Sequence, residues 1–366
     1  MPVKKNLALL LALALLCACL SGCAKTQPAE PAEPAEPTVS FTDSLGRTAE
    51  IPQTLTRVAP SGVVASMFLA TIAPEYLMTI NATPSSSQYP YLDPRLIDLP
   101  TTGQMYGSKS TLNLESILSS GAQVVIDLGD KKDNMAADLD ALQRQIGMPV
   151  IFIEADLPHM AAAYRTLGKI LRGKEARGEE LAAFVEQTIS MAEENAAKIQ
   201  DSERISVLYT SGSSGLNTNA KGSIQAQVLD LMGIENAAIV EDVSNRGGGN
   251  PINLEQLYRF DPDVILFTAG SIYSTAADDA AWQPLRAITD GRYYEIPSLP
   301  YNWLSNPPSF NMLLGVWWLG NLLYPQYYDY DMLEKAQEMF KLFWDYDLSE
   351  DAARDMLAHS TLKDAQ

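Results

Sequence analysis

The stretch NLESILSSGAQVVID occupies residues 113–127, and NLEQLYRFDPDVILF occupies residues 253–267. Laid side by side without a gap, the two share Asn-Leu-Glu, an apolar residue two places on (Ile117, Leu257) and a valine (Val124, Val264) that opens a strand-like run. Each asparagine is placed to cap a helix, and each glutamate, Glu115 and Glu255, falls in the first helical turn, where the helix dipole favours negative charge. A chain that twice writes a helix start, a turn and a short apolar strand contains two α/β lobes of similar plan.

The surrounding sequence supports that reading. Residues 41–62 predict a hairpin turning at Asp43-Ser44-Leu45-Gly46, then a strand end over residues 57–59. A helix follows from Val63 to Ile72, with Ser61 as its N-cap. Strands are expected over residues 76–80, 124–128 and 150–153, with a helix over 135–147 between the last two. Short apolar strands alternating with helices indicate a parallel sheet covered on both faces. Residues 159–200 contain little but helix formers. Within them Leu181, Phe184, Val185, Ile189 and Ala192 form one stripe of a helix over 175–200, about 39 Å long at 1.5 Å per residue. That helix either packs on a core or links two lobes. The alternation then restarts with a strand running into a Ser/Gly loop over 205–215, and a helix over 223–233 closed by Gly233.

The N-terminus reads as a targeting segment. Lys4 and Lys5 precede a short apolar run, and Leu-Ser-Gly-Cys ends at Cys23. This is a secretory signal peptide, either an ordinary one or one with a bacterial lipobox in which Cys23 takes lipid after cleavage. In the second case Cys17 and Cys19 leave with the signal, and a single remaining cysteine allows neither an internal disulfide nor thiol-based metal clusters. Residues 27–38 repeat Pro-Ala-Glu and form an extended spacer of roughly 30 Å. The expected divisions are a signal peptide at 1–22, lipidated Cys23 and spacer at 23–38, an N-terminal lobe at 39–158, a helical linker region at 159–202, and a C-terminal lobe with terminal helices at 203–366. Formal charge is −19, or −21 once Lys4 and Lys5 are lost. So acidic a surface repels nucleic acid and anionic lipid.

Taken in order and spacing, DSLGRTAEIP, TRVAPSG, LNLESILSSGAQVVI, the helical middle, NLEQLYRFDPDVILF and NPPSFNMLLGVWWLGNLLYP (residues 306–325) resemble a known group. They are similar to the extracytoplasmic solute-binding lipoproteins of ABC importers that handle iron-siderophore, haem and cobalamin, over nearly all of the chain after the signal. The resemblance implies two Rossmann-like lobes with central mainly parallel sheets, joined by one long rigid helix, with ligand held between them. It implies a monomer tethered to the membrane only through its lipid anchor, delivering a small molecule to an ABC permease dimer and its ATPase subunits. It also implies that Glu115 and Glu255 dock on the two permease subunits; as plain first-turn acids each would contribute roughly 0.3–1 kcal/mol.

In doubly wound sheets ligands meet the loops beyond the carboxyl ends of strands. The residues so placed are Ser61, Tyr106, Ser108, Asp127, Thr210, Ser211, Ser213, Asn219 and Thr268. Tyr301 and Trp303 add aromatic faces suited to a macrocycle or chelate, while Trp303 equally suits a buried prop for the Pro-Pro turn. Trp317 and Trp318 read as core. No cofactor is expected, and direct metal capture is disfavoured because the only histidines are His159 and His359. A chelated metal supplies its own coordination and stays open. An oxyanion such as molybdate also stays open, since residues 210–223 are rich in hydroxyls and glycine, and Lys109, Lys221 and Arg246 could answer its charge. A surface sensor that does not transport is a further reading. Enzyme activity is not expected: Gly212-Ser213-Ser214-Gly215-Leu216 lacks the second glycine of a nucleophile elbow, and neither histidine lies near a serine loop.

Overall fold

The hairpin forms as its turn residues dictate. Strand β1 (Thr38–Thr42) pairs antiparallel with β2 (Thr48–Pro52), Thr38 opposite Pro52. Asp43 closes the turn by accepting from the backbone N–H groups of Leu45 and Arg47 at 2.9 Å each, and Gly46 takes the positive φ of 76°. This computed structural model describes residues 36–107, 111–245 and 247–361. The expected signal peptide, Cys23 and most of the spacer lie outside the described residues, as do Ser108, Lys109 and Arg246.

Two larger sheets follow. The first is parallel, in the order β3 (Val58–Pro60), β4 (Val124–Gly129) and β5 (Val150–Glu154). The second is mixed. It contains β6 (Ser206–Ser211), β7 (Asn217–Thr218), β8 (Glu235–Asn236), β9 (Asn250–Pro251), β10 (Val264–Phe267) and β11 (Tyr293–Glu295). Its main path runs β11-β10-β6-β7-β9, with β8 also on β6. Pairing is parallel except where β7 meets β6 and β9.

The repeated segments occupy equivalent places. Helix Leu114–Ser119 starts at Asn113, whose side chain accepts from the Ser116 N–H at 3.1 Å, and leads into β4. Helix Leu254–Phe260 starts at Asn253, which accepts from the Gln256 N–H at 2.8 Å, and leads into β10. Gln256 returns a bond from its own side chain, accepting from the Asn253 N–H at 3.0 Å.

Some local expectations need correction. Residues 76–80 are not a strand: Pro74–Tyr76 make a 3-10 turn, and Leu77 and Ile80 form only isolated bridges, to Val58 and Thr101. Ser61 does not cap helix Val63–Ile72, because Gly62 holds the cap position and the Ser61 hydroxyl is given to Asp127. The long helix is Glu175–Ala196, about 33 Å, and gives way to a separate turn at Asp201–Glu203 held by the Gln200–Glu203 capping box. The helix expected over 223–233 is a 3-10 turn, Ile224–Ala226, followed by a short α-helix, Gln227–Leu231.

Helix Glu175–Ala196 packs closely on Met160–Ile170 at two glycines. A Cβ on Gly178 would stand 2.6 Å from the Tyr164 carbonyl oxygen and 2.9 Å from the Gly168 Cα. The predicted stripe is on its packed side: Leu181, Phe184, Val185 and Ala192 are buried, with Ile189 partly so.

Strand alternation sorts the core. On β4, Val124, Ile126 and Leu128 point one way and Val125 the other; on β5, Ile151 and Ile153 oppose Val150 and Phe152. On β6, Val207 and Tyr209 oppose Leu208; on β10, Val264 and Leu266 oppose Ile265 and Phe267. The first-named set from both sheets joins one continuous core together with the stripe of Glu175–Ala196 and the buried helix Asn311–Leu323. Each outer face has a smaller cluster of its own. Trp317 and Trp318 are buried as read from sequence, their indole N–H groups donating to the Thr188 hydroxyl (2.9 Å) and the Ser360 carbonyl (2.7 Å). The chain then returns to the first sheet's side. Phe310 lies edge-on to Phe68 at 6.3 Å, and helix Met332–Trp344 sets Phe340 against Tyr91 at 5.4 Å.

Candidate functional site

A cleft of about 610 Å³ opens at the carboxyl ends of β3 and β4, where parallel sheets place their ligands. One wall carries Ser61, Gln104, Tyr106, Asp127, Lys131 and Lys132; the other is built by the turn at Ile224–Ala226, by Asn245 and Gly247, and by Asn306-Pro307-Pro308. The Asn306–Pro307 peptide is cis.

Ser61 is fixed because β3 ends there: its N–H donates to the Ile126 carbonyl at 3.0 Å, and its carbonyl accepts from the Met105 N–H at 2.8 Å. Its hydroxyl donates to Oδ1 of Asp127. Asp127 sits within β4, opposite Phe152, and is only 5 % exposed. Burial pushes its carboxyl up to about 6, against the opposing pull of the Ser61 hydrogen bond and the Lys132 charge. Among the described residues its second oxygen, Oδ2, has no partner. The Tyr106 hydroxyl is likewise buried without a partner, and burial together with the Asp127 charge raises its pKa. Lys132 stands 5.3 Å from the Tyr106 ring centre and 3.2 Å from Asp130, while Lys131 pairs with Glu154 at 2.7 Å.

Across the cleft, Gln225 is also 5 % exposed. Its Nε2 donates to the Asn245 carbonyl at 3.1 Å, and its Oε1 is unpartnered among the described residues. Asn245 holds the turn in place by accepting from the Ile224 N–H at 2.9 Å. The cleft thus presents buried acceptor oxygens from both walls, Asp127 Oδ2 and Gln225 Oε1, beside one phenol. An unsatisfied buried polar atom costs about 1–3 kcal/mol, so such a set is held for something that supplies hydrogen.

Of the residues singled out by sequence, Ser61, Tyr106 and Asp127 come together here. Thr210, Ser211, Ser213, Asn219, Thr268, Tyr301 and Trp303 do not line this cleft. The reason is the antiparallel strand β7, which folds back on the end of β6 with Thr210 opposite Thr218 and Ser211 opposite Asn217. The Ser/Gly loop is consumed as a hairpin, and the hydroxyls turn to backbone: Thr210 donates to the Leu266 carbonyl at 3.3 Å and Ser211 to that of Gly248 at 3.2 Å. Ser213 is exposed, Thr268 and Tyr301 are half-buried, and Asn219 is buried with Oδ1 unpartnered. Trp303 is fully buried, its indole donating to the Leu299 carbonyl at 2.9 Å, which is the prop arrangement. Gln104, Gln225, Asn245 and Asn306 were missed. They are neutral polar residues, Gln225 within a stretch read as helix and the others in irregular connections, and no spacing or motif distinguishes them from solvated residues.

A larger groove of about 1110 Å³ runs between the end of helix Val63–Ile72, helix Glu175–Ala196 and helix Met332–Trp344. It lies away from the strand ends, and its cations are engaged: Lys174 with Glu75 at 2.5 Å, Arg177 with Glu180 at 2.6 Å and Lys341 with Asp345 at 2.9 Å. Its lining contains no buried unpartnered polar side chain among the described residues. We take the smaller cleft as the site. Glu115 and Glu255 are exposed, each in the first turn of its helix.

Comparisons with known proteins agree with this architecture. A family model described as periplasmic binding protein matches residues 85–299. An ABC transporter solute binding protein from Sulfurospirillum deleyianum superposes with a TM-score of 0.79 at 25% identity, covering 87% of this chain and 99% of that one. A periplasmic solute binding protein from Veillonella parvula gives 0.72 at 20% identity, over 88% and 98%. The molybdate periplasmic binding protein MolA from Haemophilus influenzae, solved with molybdate, gives 0.68 at 18% identity, over 85% and 99%. No curated protein gives a significant match.

The buried carboxyl makes stability depend on pH. Unfolded, Asp127 ionises near its ordinary value of 3.8, whereas folded it holds its proton to about 6. Between those values the folded state binds more protons, so this contribution is whole below about pH 4 and is lost as pH rises through 6. Asp127→Asn keeps the acceptor for Ser61 and removes that loss. Denaturant titrations should show the variant more stable at pH 7 by about 1–3 kcal/mol and the difference vanishing at pH 4; equal stability at both pH values would refute the buried-carboxyl assignment.

Proposed function

The chain belongs to the periplasmic binding protein family, the solute-binding proteins of ABC transporters, and from that we propose that its cleft captures a metal chelate of the iron-siderophore, haem or cobalamin kind for delivery to a permease. The observation carrying this is the pair of buried, unpartnered acceptors, Asp127 Oδ2 and Gln225 Oε1, lining one cleft from its two walls. Siderophore amides and the amide side chains of cobalamin bring N–H donors to both, whereas haem, with its ring nitrogens on the metal and its propionates ionised, brings none. A bare oxyanion such as molybdate brings only acceptors and would meet a carboxylate once Asp127 ionises. The cleft volume suits a small organic ligand, for which pockets run about 300–1,000 Å³. Its hydrogen-bonding groups come from two strand ends and an opposed turn, so the ligand is gripped by shape and polar contacts and no bond need be made or broken.

The family works outside the cytoplasm, and no helix among the described residues is long and apolar enough to cross a membrane. We further propose that Cys23 carries a lipid, that the Pro-Ala-Glu repeat spaces the lobes from the membrane, and that the protein acts as a monomer. Glu115 and Glu255 would dock on the two permease subunits. Their exposure at matching positions of the two repeated helices supports this.

Thermal unfolding of the purified protein with ferric hydroxamate and catecholate siderophores, haem, cobalamin and molybdate tests the ligand class. A ligand at 100 times its Kd adds about 2.7 kcal/mol. A raised midpoint with one of the chelates is expected; a rise with molybdate alone would replace this reading by the oxyanion one. Reversing both docking charges, Glu115→Arg with Glu255→Arg, should abolish uptake in cells while leaving that midpoint shift intact. Undiminished uptake would remove the two glutamates from docking.

A further inference from the structure

A second cluster of chemistry-bearing side chains lies beside the cleft. Glu154 ends β5, Asp156 follows two residues on, and His159 closes the 3-10 turn Leu157–His159 that leads into helix Met160–Ile170. A donor atom from each of the three lies within 4.8 Å of the other two. Nδ1 of His159 stands 3.9 Å from Oε1 of Glu154 and is hydrogen-bonded to Oδ1 of Asp156, a bond that would open, with loss of its proton, as a metal enters. Carboxylate and imidazole donors bind first-row metals at about 2.0–2.2 Å, so two donors of one ion stand no more than about 4.4 Å apart. The three side chains therefore already lie near coordinating distance. They are half-buried to exposed, free to make the small adjustment.

The two oxygens of Glu154 are divided in their work. Oε2 accepts the Lys131 ammonium at 2.7 Å, while Oε1 is the one turned toward His159. An outer partner on one oxygen that leaves the other facing the remaining donors is the arrangement that orients a ligating carboxylate. Lys131 also offsets part of the charge repulsion between Glu154 and Asp156. Backbone geometry fixes the rest, since the His159 N–H donates to the Asp156 carbonyl at 3.0 Å.

We propose that Glu154, Asp156 and His159 form a binding site for a divalent transition-metal ion. One imidazole with two carboxylates suits nickel, zinc or copper better than magnesium or calcium, which prefer all-oxygen sets. Three protein donors leave coordination positions open to water. The site is distinct from the acceptors Asp127 and Gln225 and does not rest on the solute reading. Lys131 connects the two, because it lines the cleft and holds Glu154.

The test is calorimetric titration of the untagged protein with nickel chloride and with zinc chloride at pH 7.5. One ion per chain is expected, weakened by about tenfold or more in His159→Ala and in Glu154→Gln. His359→Ala serves as the control. It removes the only other histidine, which pairs with Glu295 at 3.3 Å, and it should leave binding unchanged. His159 is half exposed at its side chain, and an unchanged thermal midpoint in His159→Ala excludes loss of fold. Absence of binding by the unaltered protein, or binding that survives His159→Ala undiminished, would overturn the proposal.

Discussion

One constraint organises the molecule: the inner faces of two separate sheets empty into the same core. Ile126 and Ile153 from the first sheet and Val207 and Leu266 from the second belong to a single body of buried side chains, filled in by Leu181, Phe184 and Val185 and by Leu313, Val316 and Leu319. Burying such side chains is worth about 1.5–3 kcal/mol each. Moving one sheet away from the other would therefore expose a packed interior as well as a cleft surface. The close glycine contact at Gly168 and Gly178 and the C-terminal aromatics reaching Phe68 and Tyr91 tie the same elements from further sides.

With its walls held from below, the cleft can keep polar atoms unsatisfied. Asp127 is the clearest case. Its neighbours Ser61 and Lys132 relieve only part of the cost of burying a carboxyl, and one oxygen is left bare. Gln225 makes the same sacrifice on the far wall. Thr210 and Ser211, by contrast, are satisfied where β7 folds back on β6, and Thr188 accepts from Trp317. This unmet hydrogen-bonding capacity at the carboxyl ends of β3 and β4 is what the proposed ligand would meet.

The repeat was legible in sequence because capping is local chemistry. Asn113 and Asn253 do what any asparagine at a helix start does, whatever surrounds them. Burial of the stripe on Glu175–Ala196, and of Trp317 and Trp318, was legible for a similar reason, since helical period states the packed face. Residues 76–80 misled because an apolar run reports burial and not pairing; Leu77 and Ile80 are indeed buried, with only isolated bridges to pair with. On the first sheet the rule that ligands meet strand ends placed Ser61, Tyr106 and Asp127 at the cleft. On the second it pointed to a loop that does not line this cleft, because a two-residue antiparallel strand covering β6 leaves no periodic signal. Gln225 and Asn306 come near the first sheet only through tertiary packing, and nothing local announces it.

The shared core is the claim on which the rest stands, and it can be measured without knowing the solute. Spin labels at Glu115→Cys and Glu255→Cys, in a chain otherwise free of cysteine, report the separation of the two lobes by double electron–electron resonance. One narrow distance distribution is the expected result for two sheets sharing an interior. A broad or two-peaked distribution would mean that the lobes part freely, and the single core would be contradicted.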